Sequence, residues 1–435
     1  MRNLLFVAVS SLALAACGMN GAEENTETDT TAQAQPSEDY GYDTYDENNL
    51  ADSMASNDDA YGMGDSVAKE DEAIPDSEER PIMQAQVVLD RIGFGPGVID
   101  GKMGMSTENA LNGFQEANDL EVTGKLDEAT KTALSDWDSI PATRVVTIPA
   151  SWSDAEYTDI PEDTAAKAKL ERMGYKSLDE RLAERFHTTI DVLKQLNPDG
   201  RPAGMDASMD NAGEQNAQGR SNPGAKAMPS SKPTSSDAAN SQSNADSKTR
   251  TASASDSYFR PGQQIRVPNI GADRIEKGSV EDRNWQQTLA SLGVGSDQPE
   301  VDRIVVSKAG KTLKAYQGEK LVALFTVSSG SSQFPLPLGE WDIVGEAYNP
   351  PYSYDPAVLS GGKEEGETYT LPPGPNSPVG IVWIDLSKEH YGIHGTPDPE
   401  TIGRAQSSGC VRLTNWDAAR LAGMVSQSTE VIFEA

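Results

Sequence analysis

Cysteine, histidine and positive charge are all scarce in this chain. Its 435 residues include two cysteines and three histidines, and 68 acidic residues outnumber 36 basic ones, for a net charge of −32. Two cysteines cannot form a disulfide framework. So acidic a chain also lacks the basic face that a nucleic-acid-binding protein needs. The sequence shows no cluster of metal-ligating residues, so we expect no metal site.

More than half of the net negative charge lies in one segment. Residues 18–79 hold 19 Asp and Glu against one Lys, which gives −18, and they show no sustained apolar period. A segment so polar and so charged cannot bury enough apolar surface to fold. We therefore expect residues 17–79 to form a disordered acidic tether.

The long apolar run of the chain is at its start. Residues 1–16 combine Arg2 with an apolar stretch of about a dozen residues, which is typical of an export signal and too short for a membrane span. The sequence Leu14-Ala15-Ala16-Cys17 resembles the lipobox of bacterial lipoproteins. That resemblance implies a lipid on Cys17 and a periplasmic location, with the anchor in the outer membrane because Gly18 follows. Cys410 would then have no cysteine partner within the chain.

Residues 80–137 predict a small three-helix bundle. Ala85, Val88, Leu89 and Ile92 lie on one helical face, and Asp127 is placed to cap a third helix. The segment contains IDGKMG, ALNGFQ and TGKLDEAT, and it resembles the peptidoglycan-binding domain 1 family. The resemblance implies that this module binds the cell wall.

Residues 165–270 predict a second module. Two short helices are expected around Leu178–Phe186 and Ile190–Leu196, and FRPGQQIRVPN predicts a later strand. These features resemble a βααβ LysM module, which binds cell-wall glycans, with a disordered insertion at 201–257 that is rich in Ser, Ala and Asn. His187, between the two helices, is expected at the surface.

Residues 301–434 predict a mainly-β domain. RIVVSKAGKTLKAYQGEKLVALF alternates apolar and polar residues with turn signals between the runs, and GIVWIDL and TEVIFEA read as buried strands. TNWDAARLAGM predicts one helix, capped by Thr414 or Asn415. The predicted architecture is therefore multidomain α+β, with the two small modules preceding this domain.

Two short elements of this domain carry candidate chemistry. YGIHGT contains His394, and QSSGCVRL, sixteen residues further on, contains Cys410. A cysteine nucleophile reacts as its thiolate, and a neighbouring imidazole can take the thiol proton. Taken alone, a cysteine is more often a small buried apolar residue than a nucleophile. His390 is an alternative base, which we expect at the surface.

The pattern His-Gly-Thr followed by Ser-x-Gly-Cys-Val-Arg-Leu resembles the catalytic motif of the L,D-transpeptidases, the YkuD-like family. The resemblance implies a YkuD-like β-sandwich that needs no cofactor. Further implied roles are a Cys410 nucleophile, a His394 general base, a Gly395 carbonyl that orients the imidazole, and backbone donors at Gly409 and Cys410. It also makes Thr396, Ser407, Ser408 and Arg412 candidates for substrate binding.

The resemblance leaves the acceptor open. The implied donor is a peptidoglycan stem tetrapeptide, and the acceptor is the side-chain amine of a neighbouring diaminopimelate or a lysine of a wall-anchored protein. Many family members have histidine where this chain has Ser408. Two alternatives remain: an L,D-carboxypeptidase, in which water takes the acyl group, and a non-catalytic lipoprotein that tethers membrane to wall.

Overall fold

A computed structural model describes residues 74–205, 251–252, 257–271, 275, 278–361, 363, 366–405, 407 and 409–435. The export signal, Cys17, Ser408, most of the predicted tether and most of the predicted insertion lie outside these residues. Among the described residues, no helix is long and apolar enough to cross a membrane.

The described chain has a largely helical N-terminal part, followed by a strand-rich C-terminal part. The α-helices are α1 Pro81–Arg91, α2 Met105–Ala117, α3 Glu128–Leu134, α4 Thr164–Lys167, α5 Leu178–Arg185, α6 Ile190–Leu196, α7 Arg283–Leu292, α8 Pro356–Ser360 and α9 Asn415–Ala422. The early strands are β1 Phe94–Gly95, β2 Thr143–Thr147, β3 Tyr157–Thr158, β4 Thr251–Ala252 and β5 Gln264–Pro268. The later strands are β6 Arg303–Ser307, β7 Thr312–Gln317, β8 Lys320–Thr326, β9 Ser328–Ser329, β10 Gly339–Tyr348, β11 Tyr352–Tyr354, β12 Tyr369–Leu371, β13 Val382–Leu386, β14 Gly392–His394, β15 Val411–Arg412 and β16 Glu430–Glu434.

One large sheet organises the C-terminal part. In the described chain its order is β1-β8-β7-β6-β16-β10-β13-β14-β15-β9. Strand β10 pairs with β16 through residues 339–342 and with β13 through residues 343–348, with a bulge between Ile343 and Gly345. A bulge bends a strand, so β10 can link the two halves of the sheet. Apolar residues from both halves and from α9 share one core.

The first module joins this sheet directly. Strand β1 pairs in parallel with β8, with Phe94 opposite Leu324, so the module covers what would otherwise be a sheet edge. A Cβ at Gly113 of α2 would come 2.9 Å from the Leu324 side chain, so glycine permits this close packing. Asp127 caps α3 by accepting from the Thr130 amide, as predicted.

The second module contains two helices between two paired strands. Strands β2 and β5 pair antiparallel, from Thr143 opposite Pro268 to Thr147 opposite Gln264, with α5 and α6 between them in sequence. The first of these strands begins at Thr143, ahead of the predicted module start at 165. The apolar residues of the two predicted helices pack into one core, in which Ile190 is partly buried and the others are buried: Leu178, Leu182, Phe186, Leu193 and Leu196.

The prediction that His187 lies at the surface is wrong. Its side chain has no solvent exposure, because Asp90 of α1, Leu292 of α7 and Trp416 of α9 surround it. The residue between α5 and α6 therefore lies in the interior, where the two modules meet the C-terminal domain.

Candidate active site

Two neighbouring strands place Cys410 and His394 on the same side of the sheet. Strands β14 and β15 pair in parallel, with Ile393 opposite Val411 and His394 opposite Arg412. Ile393 and Val411 are fully buried in the core. Because side chains alternate across a strand, His394, Arg412 and Cys410, which directly precedes β15, point to the opposite side of the sheet.

His394 is held in one tautomer by a backbone contact. Its Nδ1 lies 2.7 Å from the carbonyl oxygen of Gly395. A carbonyl only accepts, so Nδ1 donates, and Nε2 of the neutral ring carries the lone pair. The ring stacks on Trp383 at a centroid distance of 5.4 Å. This is the arrangement that a general base needs.

Burial keeps the imidazole of His394 neutral. Burial is the largest cause that lowers its pKa, to about 4, and the nearby Arg412 charge lowers it further, against the opposing effect of the Gly395 hydrogen bond. At neutral pH the ring therefore carries no net charge and can accept a proton.

The thiol of Cys410 is also neutral at rest. Burial raises its pKa, while the Gly392 backbone amide and the charge of Arg412 act in the opposite direction. The sulfur lies 3.7 Å from the carbonyl oxygen of His390, to which it donates. The resting pair is thus thiol and imidazole rather than thiolate and imidazolium, and proton transfer must accompany attack on a substrate.

Gly409 fits a conformation and a space that other residues would not. Its φ is +110°, and a Cβ there would lie 2.6 Å from Cε1 of Tyr391. The Gly409 amide donates to the hydroxyl of Ser407 at 3.2 Å. In this structure that amide is therefore engaged inside the loop rather than directed to a substrate.

Ser407 and Thr396, which the sequence suggested as substrate-binding residues, have internal partners instead. The Ser407 hydroxyl donates to the Cys410 carbonyl at 2.5 Å and accepts from the amides of Gly330, at 2.7 Å, and Gly409. One donor and two acceptor positions exhaust a hydroxyl. Thr396 is 2% exposed and accepts from the Asp398 amide. Both residues stabilise the loops next to Cys410 and His394.

The other predicted residues have distinct surroundings. Arg412 is half-buried, and its charge acts on Asp398 and Cys410. Ser408 lies outside the described residues. His390, the alternative base, is largely exposed beside Glu389.

Sequence reasoning missed three aromatic neighbours of the site. Trp383 stacks on His394, Tyr391 packs against Gly409, and Tyr352 lies close enough to Cys410 for the two to interact electrostatically. Burial, followed by the Cys410 charge, raises the pKa of Tyr352 to about 12. Tyr391 is the first residue of YGIHGT, whereas Trp383 and Tyr352 come from other strands, and no spacing rule links those two to the motif.

A cavity of about 380 Å³ lies near the site, between the second module and the C-terminal domain. Its lining includes the segment 397–401, which follows the His-Gly-Thr turn, together with part of α5 and the loop before α6. The acidic residues of this lining are Glu180, Glu184, Asp191, Asp398 and Glu400. Neither Cys410 nor His394 lines it.

Comparison with known proteins identifies the family. The YkuD model, described as an L,D-transpeptidase catalytic domain, matches residues 301–433. A Bacillus licheniformis protein named "Putative L,D-transpeptidase YkuD" is 36% identical over 176 residues, which are 40% of this chain and 87% of that protein. The chain belongs to the L,D-transpeptidase family. The resemblance seen in the sequence is confirmed.

Further matches cover other parts of the chain or of the relatives. A model described as "Putative peptidoglycan binding domain" matches residues 79–134, which confirms the resemblance of this segment to the peptidoglycan-binding domain 1 family. The Bacillus subtilis protein of the same YkuD name is 34% identical over 29% of this chain and 63% of its own length. An L,D-transpeptidase structure from Mycobacterium smegmatis is 22% identical with a TM-score of 0.26, covering 31% of this chain and 59% of that one. We draw no conclusion from that superposition.

Proposed function

We propose that this protein is a cysteine L,D-transpeptidase that acts on peptidoglycan stem tetrapeptides, with Cys410 as nucleophile and His394 as general base. The observation that carries the proposal is the hydrogen bond from His394 Nδ1 to the Gly395 carbonyl. It leaves the Nε2 lone pair available on the strand next to Cys410. The family membership supports the reaction class.

In the acylation step, His394 takes the thiol proton as the Cys410 sulfur attacks the carbonyl carbon of the third stem residue. The carbon–nitrogen bond to the terminal D-alanine breaks, and His394 returns the proton to the departing amine. The products are a thioester on Cys410 and free D-alanine. Because both groups are neutral at rest, there is no separation of charge between them before the substrate binds.

In the second step an amine attacks the thioester. The carbon–sulfur bond breaks as the new amide forms, and the amine proton passes through His394 to the thiolate. With the side-chain amine of a diaminopimelate as acceptor the product is a 3→3 cross-link, and with a protein lysine it is a wall-anchored protein. Every bond change uses groups of the enzyme and of its substrates, without a cofactor.

Reaction of the full chain with purified tetrapeptide muropeptides tests this proposal. We expect 3→3 dimers with the native protein, a covalent acyl adduct on Cys410 in intact-protein mass spectra, and neither with Cys410→Ala. Release of D-alanine without dimers, even with added amines, would indicate an L,D-carboxypeptidase. A native protein that forms no adduct would leave the non-catalytic tether as the better description.

The two N-terminal modules are proposed to hold the enzyme on its polymeric substrate. The family match of residues 79–134 supports wall binding by the first. For the second, the pairing of β2 with β5, which enclose the helices α5 and α6 in sequence together with the short elements β3, α4 and β4, supports a LysM-like module that grips glycan. Sedimentation of residues 74–435 with insoluble peptidoglycan tests this, because binding should persist in Cys410→Ala. A protein that stays in the supernatant would contradict it.

We also propose a lipid on Cys17 that anchors the enzyme in the outer membrane and confines it to the periplasm. The lipobox-like sequence and Gly18 support this. Metabolic labelling with an alkyne fatty acid, followed by membrane fractionation, should show a labelled membrane protein. Cys17→Ser should abolish both the label and the membrane association, and label that persists in this variant would contradict the proposal.

A further inference from the structure

The second module contacts the active-site turn through a pair of buried polar side chains. Glu184, near the end of α5, is 9% exposed, and Asn415, the first residue of α9, is 1% exposed. The Asn415 amide nitrogen donates to Glu184 Oε1 at 2.6 Å and to the carbonyl oxygen of Pro375 at 3.2 Å. These bonds join a helix of the second module to the helix that follows the cysteine motif.

The other end of the Asn415 side chain lies against the turn that holds His394. A Cβ at either Gly395 or Gly380 would overlap Asn415 Oδ1, so both glycines leave room for this oxygen. Gly395 is the residue whose carbonyl accepts from His394 Nδ1 at 2.7 Å. Asn415 is thus packed directly on the peptide that sets the tautomer and orientation of the imidazole.

The same side chain also lies at the end of the segment that carries the nucleophile. Asn415 follows Cys410 by five residues, and between them the Leu413 amide donates to the carbonyl oxygen of His394 at 2.9 Å. Displacement of Asn415 therefore acts on both members of the reacting pair. Glu184 and the Pro375 carbonyl fix the amide end of Asn415. Burial raises the pKa of Glu184 to about 7, although its hydrogen bonds with Tyr175 and Asn415 lower it.

We propose that Glu184 and Asn415 are positioning residues for catalysis: Glu184 of the second module holds Asn415 against Gly395, and Gly395 holds His394. The inference rests on the proposed role of His394 as the base. The second module then does more than bind the wall, because part of the geometry of the base depends on its helix α5.

The test uses full-length variants with a matched control. Glu184→Ala and Asn415→Ala remove the contact, whereas Glu184→Gln keeps an acceptor for the Asn415 amide. Glu116 is the control, since it joins the first module to the same domain through Lys314 Nζ, at 2.6 Å, without touching the active-site turn. Glu116→Ala and Glu116→Gln therefore weaken another carboxylate contact between a module and the C-terminal domain, in this case a partly exposed ion pair.

We expect Glu184→Ala and Asn415→Ala each to lower kcat about tenfold, since small misplacements of catalytic groups are costly, with KM within about twofold of native. The double variant should lose little more than either single variant, because the two residues act through one contact. Glu184→Gln should have a kcat within about twofold of native, and so should both Glu116 variants. The inference would be overturned if Glu184→Ala and Asn415→Ala kept the native kcat. It would also be overturned if Glu116→Ala lowered kcat as much as they do.

A second measurement separates this inference from the proposed reaction. In 15N-histidine NMR spectra, with the His394 signal identified by its absence in His394→Asn, the native Nδ1 should appear protonated. It should move toward a tautomer average in both alanine variants and stay in place in Glu116→Ala. An unmoved signal would overturn the inference even if the native protein proved inactive toward muropeptides. Should Glu184→Ala not fold, Asn415→Ser carries both measurements.

Discussion

Two buried histidines of this protein stack on tryptophan rings but differ in their hydrogen-bond partners. His394 lies over Trp383 with ring centroids 5.4 Å apart, and His187 lies over Trp416 at 4.9 Å. The difference between them is in hydrogen bonding. His394 bonds a backbone carbonyl through one nitrogen, whereas His187 faces the Asp90 carboxylate with Nδ1 and the Leu292 carbonyl with Nε2.

The surroundings of His187 form a buried ion cluster. Arg420 donates to both oxygens of the Asp90 carboxylate, at 2.8 and 2.9 Å, and to its backbone carbonyl at 3.1 Å. Despite burial, the Arg420 and His187 charges hold the pKa of Asp90 well below its usual range. Both ring nitrogens of His187 face groups that only accept, so the ring is committed to this cluster. A histidine is available as a base where one nitrogen keeps its lone pair.

Replacement of the two histidines is the strongest way to test this comparison. His394→Asn should lower kcat by about 10²–10⁴, the usual contribution of a general base, with little change in the free energy of unfolding. His187→Asn should do the reverse, lowering stability while the folded protein keeps its kcat. Muropeptide kinetics and urea unfolding of both variants measure these effects. Comparable kinetic losses in the two variants would contradict the distinction.

Removal of the arginine should show that the second cluster is structural. Arg420→Met leaves the Asp90 carboxylate buried without its main partner, which should cost about 3–5 kcal/mol of unfolding free energy. Arg283→Met, at an exposed arginine, is the control and should change stability by less than about 0.5 kcal/mol. Chemical denaturation followed by tryptophan fluorescence measures both. A stability loss below about 1 kcal/mol for Arg420→Met would indicate that the cluster is dispensable.

The difference between the two sites also explains what the sequence could predict. His394 and Cys410 lie in one short stretch, and their neighbouring strands follow from local apolar patterns, so the sequence alone points to both residues. The cluster around His187 joins residues 97 and 330 positions apart in sequence. No local pattern predicts such contacts, and a histidine between two short helices resembles a surface residue until α1 and α9 pack on it.

Contacts between residues far apart in sequence also explain why the partners of the Ser407 hydroxyl and the pairing of β1 with β8 could not be predicted. Ser407 stands in the motif and is a candidate for substrate binding, yet the partners of its hydroxyl include Gly330, 77 residues earlier. The pairing of β1 with β8 joins Phe94 to a strand that is more than 200 residues away. The helical character of the N-terminal region and the mainly-β character of the C-terminal domain depend on nearby residues, and these two predictions were confirmed.

The pH dependence should separate the two sites further. The pKa of His394 is lowered to about 4, so the base stays neutral, and kcat/KM should fall only as pH drops through about 4 rather than 6.5. The depressed pKa of Asp90 means that its stabilising contribution is present above 3.8 and is lost as pH falls below that value. Activity and fold should therefore both persist at pH 5. Rates and circular dichroism from pH 4 to 8 measure this, and an acid limb near 6.5 would contradict it.

Replacement of the stacked tryptophans gives the smallest and most discriminating effects. Trp383→Phe keeps an aromatic face beside His394, so we expect a change in kcat of only a few-fold, with a shift in the acid limb as burial of the imidazole is reduced. Trp416→Phe should cost about 0.5–1.5 kcal/mol of stacking, plus the loss from unfilled space, and leave the acid limb unchanged. Kinetics across pH and denaturation of both variants decide this. An acid limb that moved in Trp416→Phe but not in Trp383→Phe would show that the ring stacked on His394 does not cause its lowered pKa.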